Sequence, residues 1–568
     1  MRYLVLACDY DGTLAHDGIV DPETIEALER LIASGRKLVL VTGRELDDLL
    51  HVFPRIDLFA RVVGENGGVL YTPERRETRA LAAPPPQEFL RELERREVSP
   101  LSVGRVVVAT WEPNQNVVLE LIHELGLELQ VTFNKGAVMV LPSGVNKRSG
   151  LEAALVELGI SPHNVVAVGD AENDHELLRA SECGVAVANA LPVLRQEADL
   201  VTRGSRGAGV RELIDRLLED DLHSLQPTLL RHHLPLGIAD DGREVRLNPY
   251  GSVVLLAGTS GGGKTTAATG LIDHLAERGY QVCVVDPEGD YEALEGAVAT
   301  GSAEQPPNTD HVLQVLARPR DQAVVTLLGL PIEDRPRFFL SLLARLHEFR
   351  TGHGRPHWVV VDEAHHMLDE SFWPPSTALP HEVGSLLLIT VHPERINKSL
   401  LGRVDVLIAV GADGANTVTT FAHTLGVDIP RISARPEQSG QVILWDRRAP
   451  EALRVRLLGG RSARRRHLRK YAHGALGPDK SFFFRGPDGR LKLRAQNLAL
   501  FNQIAEGVDD ETWLHHLKQN DYSGWLREAI KDDELADEVR AIEQRDLPAD
   551  ASRHEIRRAI ERRYTLPA

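Results

Sequence analysis

The residues best suited to chemistry near the start of this chain are two aspartates, Asp9 and Asp11. They directly follow the apolar run Tyr3–Ala7, which predicts a buried first strand. Side chains at alternate positions of an extended segment point the same way, so both carboxylates can address one small ligand. A nucleophile beside an acid is the arrangement that a covalent acyl-phosphate mechanism needs. A solvated acidic turn is the alternative, and this stretch alone leaves it open.

Three further polar stretches follow in the first 221 residues. They contain Thr42, Gly43 and Arg44 after the apolar strand Lys37–Val41, Lys147 and Arg148 at the start of a helix over Ser149–Leu158, and Asp170, Asn173 and Asp174 after the apolar strand Val165–Val168. A hydroxyl and free backbone amides at a strand end suit a phosphate oxygen. Ligands of open α/β sheets bind at the carboxyl ends of the strands, so the strand ends indicate a ligand site.

A second group of residues predicts a nucleotide site. The strand Val253–Ala257 leads into a G-x-x-x-x-G-K-T sequence, formed by Gly258, Thr259, Ser260, Gly261, Gly262, Gly263, Lys264 and Thr265. The glycines let backbone amides hold phosphates, Lys264 reaches the β and γ oxygens, and Thr265 binds Mg²⁺. Thr266 opens the following helix, whose N-terminus favours anions.

An acidic pair further along favours hydrolysis of the nucleotide. The apolar strand Trp358–Val361 runs into Asp362 and Glu363. Asp362 is predicted to hold the water shell of Mg²⁺, and Glu363 to polarise the attacking water. Another apolar strand, Ser385–Thr390, leads to His392, which is predicted to sense the γ-phosphate or to be a plain turn residue.

Length and composition predict a multidomain globular protein. The chain has 568 residues, of which 42% are hydrophobic and 26% charged, enough for three or four domains of ~150 residues. The net charge of −17 argues against a general nucleic-acid coat. Three scattered cysteines, no recognisable signal peptide and no apolar run near about 18 residues predict a cytoplasmic protein without a membrane contact.

Taken in order, the four stretches around Asp9, Thr42, Lys147 and Asp170 resemble the haloacid dehalogenase superfamily. The sequence Glu65-Asn66-Gly67 and the insertion over 84–141 resemble its sugar-phosphatase branch, in which a cap occupies that position. The resemblance implies a phosphatase for a small sugar- or metabolite-phosphate, and the second acid fits a phosphatase better than a dehalogenase.

The same resemblance assigns roles to the residues. Asp9 would attack phosphorus, and Asp11 would protonate the leaving oxygen and then activate water. The implied Mg²⁺ ligands are Asp9, the backbone carbonyl of Asp11 and Asp170, with Asp174 completing or orienting the shell. The implied phosphate-binding residues are Thr42, Gly43, Lys147 and Asn173, with Arg148 left open beside Lys147.

Residues 236–450 resemble the HerA–FtsK class of P-loop ATPases. That resemblance implies ATP and Mg²⁺ as ligands and a homo-hexameric ring, in which an arginine of the neighbour completes each site. The candidates are Arg395, Arg403 and Arg435. Many relatives of this class move DNA, and nothing in this sequence shows that this chain does. His392 stands where such ATPases commonly carry a glutamine.

Two other functions stay open. A phosphatase and a P-loop kinase together could process nucleic-acid ends, although a cap would obstruct a polynucleotide and a water-activating Glu363 fits hydrolysis better than transfer. The second half could instead be an ATP-switched ring scaffold or a DNA translocase with the phosphatase as its output.

The predicted fold is α/β throughout its two larger parts. A Rossmann-like domain over 1–221 carries an inserted α+β cap at about 84–141, and a linker at 222–235 leads to a RecA-like P-loop domain over 236–450. Residues 451–480 form a predicted basic hinge that contacts nucleic-acid phosphates or only solvent. Residues 481–568 form a small, mostly helical domain that docks a partner, or holds a site around His515, His516, Asp521 and Tyr522.

Overall fold

The computed structural model describes residues 1–259, 262–291, 294–369, 385–432, 440–460, 471, 481–489, 491–530 and 532–564. The chain divides into two compact units. The larger contains most of residues 1–458, and the smaller contains 459–568 with the short pieces 265–273 and 293–295. In the parts of the chain just given, no helix combines the length and apolar character that a membrane crossing needs.

The first 221 residues form two sheets and the helices around them. The strands are β1 (Val5–Cys8), β2 (Lys37–Val41), β3 (Arg61–Gly64), β4 (Val69–Thr72), β5 (Glu77–Ala80), β6 (Ser102–Val103), β7 (Val108–Trp111), β8 (Leu129–Asn134), β9 (Ala137–Pro142), β10 (Val165–Gly169), β11 (Cys183–Ala186) and β12 (Leu200–Val201). The helices are α1 (Pro22–Ala33), α2 (Leu46–Val52), α3 (Gln87–Arg95), α4 (Gln115–Glu124), α5 (Lys147–Leu158), α6 (His175–Ala180), α7 (Pro192–Glu197) and α8 (Arg206–Asp220).

Strand β1 lies in the middle of the main sheet, whose order is β12-β11-β10-β1-β2-β3-β4-β5. It pairs in parallel with β10 and with β2, so Cys8 stands level with Val168 and with Leu40. All four residues of β1 are buried, as expected for an apolar strand covered on both faces. The carboxyl ends of these three strands therefore meet at one edge of the sheet.

Local capping signals set the starts of two helices. The Asp21 side chain accepts a hydrogen bond from the Thr24 N–H, so Asp21 is the N-cap of α1. Asn146 and Ser149 form a reciprocal capping box at α5. That helix begins at Lys147, two residues before its predicted start, because Asn146 is its cap.

The inserted segment folds as an antiparallel sheet with two helices. Strands β6 to β9 pair in the order β6-β7-β9-β8. Phe89 and Leu93 of α3, Val118 and Leu121 of α4, and Val140 of β9 form a separate buried cluster. This small core of its own fits the mixed α+β cap predicted from the sequence.

The second large sheet follows in the same unit. Its strands are β13 (Leu234–Ala239), β14 (Glu244–Leu247), β15 (Val253–Gly258), β16 (Val282–Asp286), β17 (Ala297–Thr300), β18 (Gln322–Thr326), β19 (Trp358–Val361), β20 (Ser385–Thr390), β21 (Val406–Val410), β22 (Arg431–Ile432), β23 (Gln441–Asp446) and β24 (Glu451–Leu457). The main path is β14-β13-β24-β23-β21-β15-β20-β19-β16-β18-β17. The helices along this stretch of the chain are α9 (Lys264–Glu277), α10 (Thr309–Leu316), α11 (Arg335–His353), α12 (Ala364–Met367), α13 (Lys398–Leu401) and α14 (Gly414–Leu425). Residues 265–273 of α9 belong to the smaller unit.

One sequence boundary needs correction. Residues 451–457, assigned above to a basic hinge, form strand β24, which pairs with both β23 and β13. Ala452 and Val455 of this strand are both buried, and being three positions apart they lie on opposite faces, so its arginines belong to a strand that packs on both faces and not to a solvated hinge. The basic residues of 461–470 lie outside the described residues.

The smaller unit is mostly helical around an aromatic core. It contains β25 (Phe482–Phe484), β26 (Leu493–Ala495), α15 (Leu498–Gly507), α16 (Asp510–Gln519), α17 (Asp521–Trp525), a π-helical turn (Leu526–Ile530), α18 (Asp533–Glu543) and α19 (Ala549–Tyr564). His516 accepts the Arg485 N–H through Nε2, and its Nδ1 lies 2.7 Å from Asp521. The Tyr522 hydroxyl donates to the Trp513 carbonyl at 3.1 Å. These bonds favour a structural role for the residues around His516.

A buried polar cluster joins the two halves of the larger unit. The His163 ring stacks on Tyr280 at 3.8 Å between centroids. Its Nδ1 lies 2.6 Å from Glu182 Oε2 and its Nε2 lies 2.7 Å from the Arg278 carbonyl. Both partners are hydrogen-bond acceptors, so contacts on the two nitrogens of His163 fix the ring from both sides. Arg2 pairs with the other oxygen of Glu182.

Glu182→Gln should destabilise the protein by about 3 kcal/mol at pH 7, because it breaks a buried ion pair on one side. Burial alone would raise the pKa of Glu182, but the His163 hydrogen bond and the Arg2 charge outweigh it and lower that pKa to about 2. The contribution of Glu182 to the free energy of unfolding is therefore complete at pH values above its ordinary pKa of 4.5. It is lost as the pH falls toward 2. Urea unfolding across this pH range measures the effect.

The lowered pKa of His232, about 4 and caused by burial, acts in the same direction. The unfolded chain takes up this proton below pH 6.5 and the folded chain only near pH 4, so stability falls between those values. The control is Glu176→Gln, whose carboxylate is 42% exposed in its ion pairs and should change stability by less than about 0.5 kcal/mol. Equal unfolding midpoints for Glu182→Gln and the wild type would contradict the assignment.

Candidate active sites

Three carboxylates meet at the carboxyl edge of the first sheet. Asp9 follows β1, and Asp170 and Asp174 follow β10. One oxygen of each lies within 4.8 Å of the other two, and all three side chains are buried. Carboxylate oxygens grouped in this way are the ligands that Mg²⁺ prefers. We refer to these residues together with Asp11 as the aspartate cluster.

Lys147 holds two members of the aspartate cluster. Its ammonium donates to Asp9 Oδ1 at 2.5 Å and to Asp174 Oδ1 at 2.6 Å, and the side chain is 1% exposed. The other oxygen of Asp174 accepts the backbone N–H groups of Asp170 and Ala171, both at 2.9 Å. Asp174 therefore fixes the loop that carries Asp170 and orients Lys147.

Burial and like charges raise the pKa of Asp9 to about 7, with Asp174 the largest charged contributor after burial. Burial would lower the pKa of Lys147, but Asp174 and Asp9 outweigh it and raise that pKa. Lys147 thus offsets part of the charge of the three carboxylates, and a further cation would stabilise the set. The carboxylate oxygens of Asp9, Asp170 and Asp174 therefore suit Mg²⁺ as a ligand set.

Asp11 lies on the more exposed side of the cluster. Arg44 clamps it with two hydrogen bonds, from Nε at 2.6 Å and from Nη2 at 2.7 Å. Thr42, buried at the end of β2, accepts the Arg44 N–H through its hydroxyl oxygen at 3.1 Å. Such a bidentate clamp fixes the orientation of a carboxylate. Asp11 is therefore positioned by the Thr42-Gly43-Arg44 turn.

The remaining predicted phosphate-binding residues lie beside this turn. A Cβ added to Gly43 would stand 3.6 Å from the amide nitrogen of Asn173. That amide donates to Asn66 Oδ1 at 3.1 Å. Arg148 instead points along the helix surface and pairs with Glu152 at 2.8 Å. The structure thus groups Gly43 and Asn173 and directs Arg148 to a different partner.

The second predicted site lies where β15 ends. Gly263 has φ +95°, a left-handed conformation that glycine adopts without strain, and Lys264 then opens α9. The Lys264 ammonium donates to the carbonyls of Gly258 at 3.1 Å and Thr259 at 3.0 Å. Thr265 and Thr266 are the next residues of this helix, while Ser260 and Gly261 lie outside the described residues.

The acidic pair follows the buried strand β19. Burial raises the pKa of Asp362 to about 7, helped by the charges of Glu363 and Asp286. Asp362 Oδ1 accepts the Glu363 N–H at 2.9 Å. Glu363 has φ +44°, an unusual conformation for a non-glycine residue. Burial also lowers the pKa of Lys264, partly offset by Glu363 and Asp362, which indicates that these charges share one region.

Strand β20 lies between β15 and β19, so its carboxyl end falls between the phosphate loop and the acidic pair. His365 Nδ1 lies 3.3 Å from Glu363 Oε2 and 3.1 Å from the hydroxyl oxygen of Thr390. That oxygen also accepts the His392 N–H at 2.9 Å. His365 therefore lies between Glu363 and the end of β20, where His392 was predicted to act.

Of the three arginine candidates, Arg395 forms an ion pair with Asp369 at 3.3 Å. Arg403 follows α13 and has partners of its own. Arg435 lies outside the described residues. The choice among them stays a prediction.

Comparison with known proteins gives the family of the first domain of the chain. Residues 6–93 and 106–214 match a family model described as haloacid dehalogenase-like hydrolase. The chain is 32% identical over 222 residues to a phosphoglycolate phosphatase of Methanothermobacter thermautotrophicus, covering 38% of this chain and 98% of that relative. The chain belongs to the haloacid dehalogenase-like hydrolases.

Two further proteins are similar to the hydrolase domain. Phosphoglycolate phosphatase 1 of Saccharolobus solfataricus is 31% identical over 241 residues, covering 40% of this chain and 100% of the relative. A crystal structure of a haloacid dehalogenase-like hydrolase from Bacteroides thetaiotaomicron matches with 21% identity and a TM-score of 0.35, covering 38% of this chain and 100% of that one.

The second half also matches a family model. Residues 253–546 match the CobQ/CobB/MinD/ParA nucleotide binding domain, so the chain carries a nucleotide-binding domain of that family behind its hydrolase domain. This confirms the P-loop domain predicted from the sequence.

Two contacts of the hydrolase site were not predicted: the sequence identifies Glu65 only as part of a turn motif, and it does not single out Lys135. Glu65 accepts the backbone N–H groups of Arg105, Val106 and Val107 at 3.0, 2.7 and 3.0 Å, and so ties the core to the insertion. Lys135, on the hairpin between β8 and β9, donates to the Asp11 carbonyl at 2.8 Å and to Asp170 Oδ2 at 2.9 Å. The available signal was a single lysine in 84–141, followed by Gly136 in a turn.

Proposed function

We propose that residues 1–221, with the cap at 84–141, hydrolyse a phosphate monoester through an aspartyl-phosphate on Asp9. The observation that carries this proposal is the placement of Asp9, which Lys147 holds at 2.5 Å beside Asp170 and Asp174. An acid at position 11, clamped by Arg44, completes the pair that a two-step hydrolysis requires.

In the first step a carboxylate oxygen of Asp9 bonds to phosphorus as the ester P–O bond breaks. Asp11 gives its proton to the leaving oxygen. In the second step Asp11 takes a proton from water, whose oxygen bonds to phosphorus and releases Asp9 and inorganic phosphate. Lys147 and the amides beside Thr42 stabilise the phosphoryl oxygens. Mg²⁺ held by Asp9, Asp170 and the Asp11 carbonyl would supply charge stabilisation of the same oxygens.

The substrate we infer is a small phosphate ester, and phosphoglycolate is the first to test. Relatives that match over nearly their whole length are named phosphoglycolate phosphatases. The cap, tied down by Glu65 and contacting the aspartate cluster through Lys135, favours a small molecule over a polynucleotide. Three buried free cysteines fit a reducing, cytoplasmic compartment.

Phosphate release tests this function. Phosphoglycolate, sugar phosphates, ethyl phosphate and a 3′-phosphorylated oligonucleotide are compared with Mg²⁺ present. We expect a small ester to be turned over best, and EDTA to reduce the rate at least ~100-fold with recovery on adding Mg²⁺, since the metal stabilises transition-state charge. An oligonucleotide turned over faster than every small ester would replace this proposal with nucleic-acid end processing.

For residues 236–450 we propose ATP hydrolysis with Mg²⁺ held by Thr265 and Asp362. Glu363 would polarise the attacking water, and the end of β20 would sense the γ-phosphate. The position of β20 between the phosphate loop strand and β19 supports this assignment, as does the HerA–FtsK-like order of the motifs. This proposal has three further forms: the domain assembles into a hexameric ring, moves DNA, or serves as an ATP-controlled scaffold. Measurements of ATP turnover and of the oligomeric state distinguish them.

A further inference from the structure

A lysine of the cap reaches into the oxygen cluster of the hydrolase core. Lys135 has φ +49° and Gly136 has φ +88° in the hairpin turn between β8 and β9, the two successive positive φ angles of a tight hairpin turn. The Lys135 side chain is 47% exposed, while its partner Asp170 is almost fully buried. The hairpin tip therefore delivers one flexible cation from solvent to a buried carboxylate.

The space for this ammonium depends on Gly12. That residue has φ +88°, and a Cβ built on it would stand 2.4 Å from Asp170 Oδ2 and 2.6 Å from Lys135 Nζ. Any other residue at position 12 would therefore collide with the contact. The approach of Lys135 is thus accommodated by the core backbone and is not a chance contact of two surfaces.

The two oxygens that Lys135 contacts are the Asp11 carbonyl at 2.8 Å and the Asp170 carboxylate at 2.9 Å. They are also two of the oxygens proposed to hold Mg²⁺. A divalent ion bound there would repel an ammonium at the same oxygens. Because a lysine stem is long and flexible, the ammonium can move to another acceptor while the hairpin stays in place.

We propose that Lys135 is an exchangeable counter-ion of the hydrolase site, which competes with the metal for these oxygens and, when the metal is bound, recognises an anionic group on the substrate's alcohol portion. The proposal rests on the proposed phosphatase function and specifies its substrate class as phosphate monoesters that carry a carboxylate. Lys135 is the single lysine within 84–141, and its removal leaves the aspartate cluster without its cation from the cap.

The first test measures metal binding without turnover. Mn²⁺ is titrated into the full-length protein and free Mn²⁺ is followed by electron paramagnetic resonance. Lys135→Gln should bind Mn²⁺ about tenfold more tightly than the wild type at the phosphatase site. Arg91→Gln is the matched control, because it removes one charge from an exposed position on cap helix α3. Equal or weaker binding by Lys135→Gln, with the fold unchanged by circular dichroism, would overturn the competition.

The second test measures substrate preference. The ratio of kcat/KM for phosphoglycolate to that for ethyl phosphate should fall at least tenfold in Lys135→Gln, mainly through KM for phosphoglycolate, and should recover in part in Lys135→Arg. An unchanged ratio would overturn the recognition of the carboxylate. If the wild type hydrolyses no ester, the proposed function fails, whereas the Mn²⁺ titration still decides whether Lys135 competes with the metal.

Discussion

Asp9→Asn is expected to reduce phosphate release by about 10⁴-fold or more, since an amide cannot form the bond to phosphorus. The change keeps the side-chain shape, and Lys147 keeps its contact with Asp174 at 2.6 Å. The loss should therefore appear in kcat and not in the amount of folded protein. Initial rates with the best ester of the screen, measured at saturating substrate, give this value.

Two controls make the Asp9→Asn result specific. ATP hydrolysis by the same preparation should stay near the wild-type rate, because the nucleotide site uses other residues. Asp17→Asn changes an aspartate of the same segment that is 87% exposed, and should leave phosphate release within about twofold, as surface substitutions usually do. Phosphate release above one-hundredth of the wild-type rate in Asp9→Asn would exclude Asp9 as the nucleophile.

The second large effect is expected at the nucleotide site. Lys264→Ala should abolish tight ATP binding, and Glu363→Gln should keep binding but reduce hydrolysis ~10²–10⁴-fold, the range for loss of a general base. The difference follows from the structure, where Lys264 sits inside the phosphate loop and Glu363 follows a separate strand. Binding of a fluorescent ATP analogue and turnover of labelled ATP, each with and without DNA, separate the two steps.

The matched control for the nucleotide site is Glu348→Gln, a glutamate on α11 that is 78% exposed. Its turnover should equal that of the wild type. If the labelled phosphate of ATP is recovered on an oligonucleotide instead of as free phosphate, the result would favour the kinase alternative. A Glu363→Gln variant that loses binding as completely as Lys264→Ala would show that Glu363 shapes the loop and does not activate water.

Short-range signals explain what the sequence predicted well. Apolar runs locate β1, β15 and β19 because buried parallel strands need no polar alternation. Asp21 and Asn146 mark helix starts because their side chains cap the neighbouring N–H groups. The polar residues that follow these strands could be assigned to one edge of their sheet because the carboxyl ends of parallel strands meet there.

Contacts between residues far apart in sequence could not be predicted in this way. Lys135 meets Asp170 across 35 positions and Glu182 meets Arg2 across 180, and no local pattern carries that information. The same holds for β24, whose arginines look like a solvated basic run until pairing with β13 and β23 shows a strand. The missed features are those that tertiary packing alone determines.

The stack of His163 on Tyr280 has a consequence for any attempt to divide the chain. A fragment that ends at residue 221 would lose the Tyr280 ring that covers His163 and would expose the Glu182–Arg2 ion pair behind it to water. It would also lose the carbonyl that fixes the ring's second nitrogen. The phosphatase fragment would then be less stable than the same residues in the intact chain, so its melting temperature would understate the thermal tolerance of the fused enzyme.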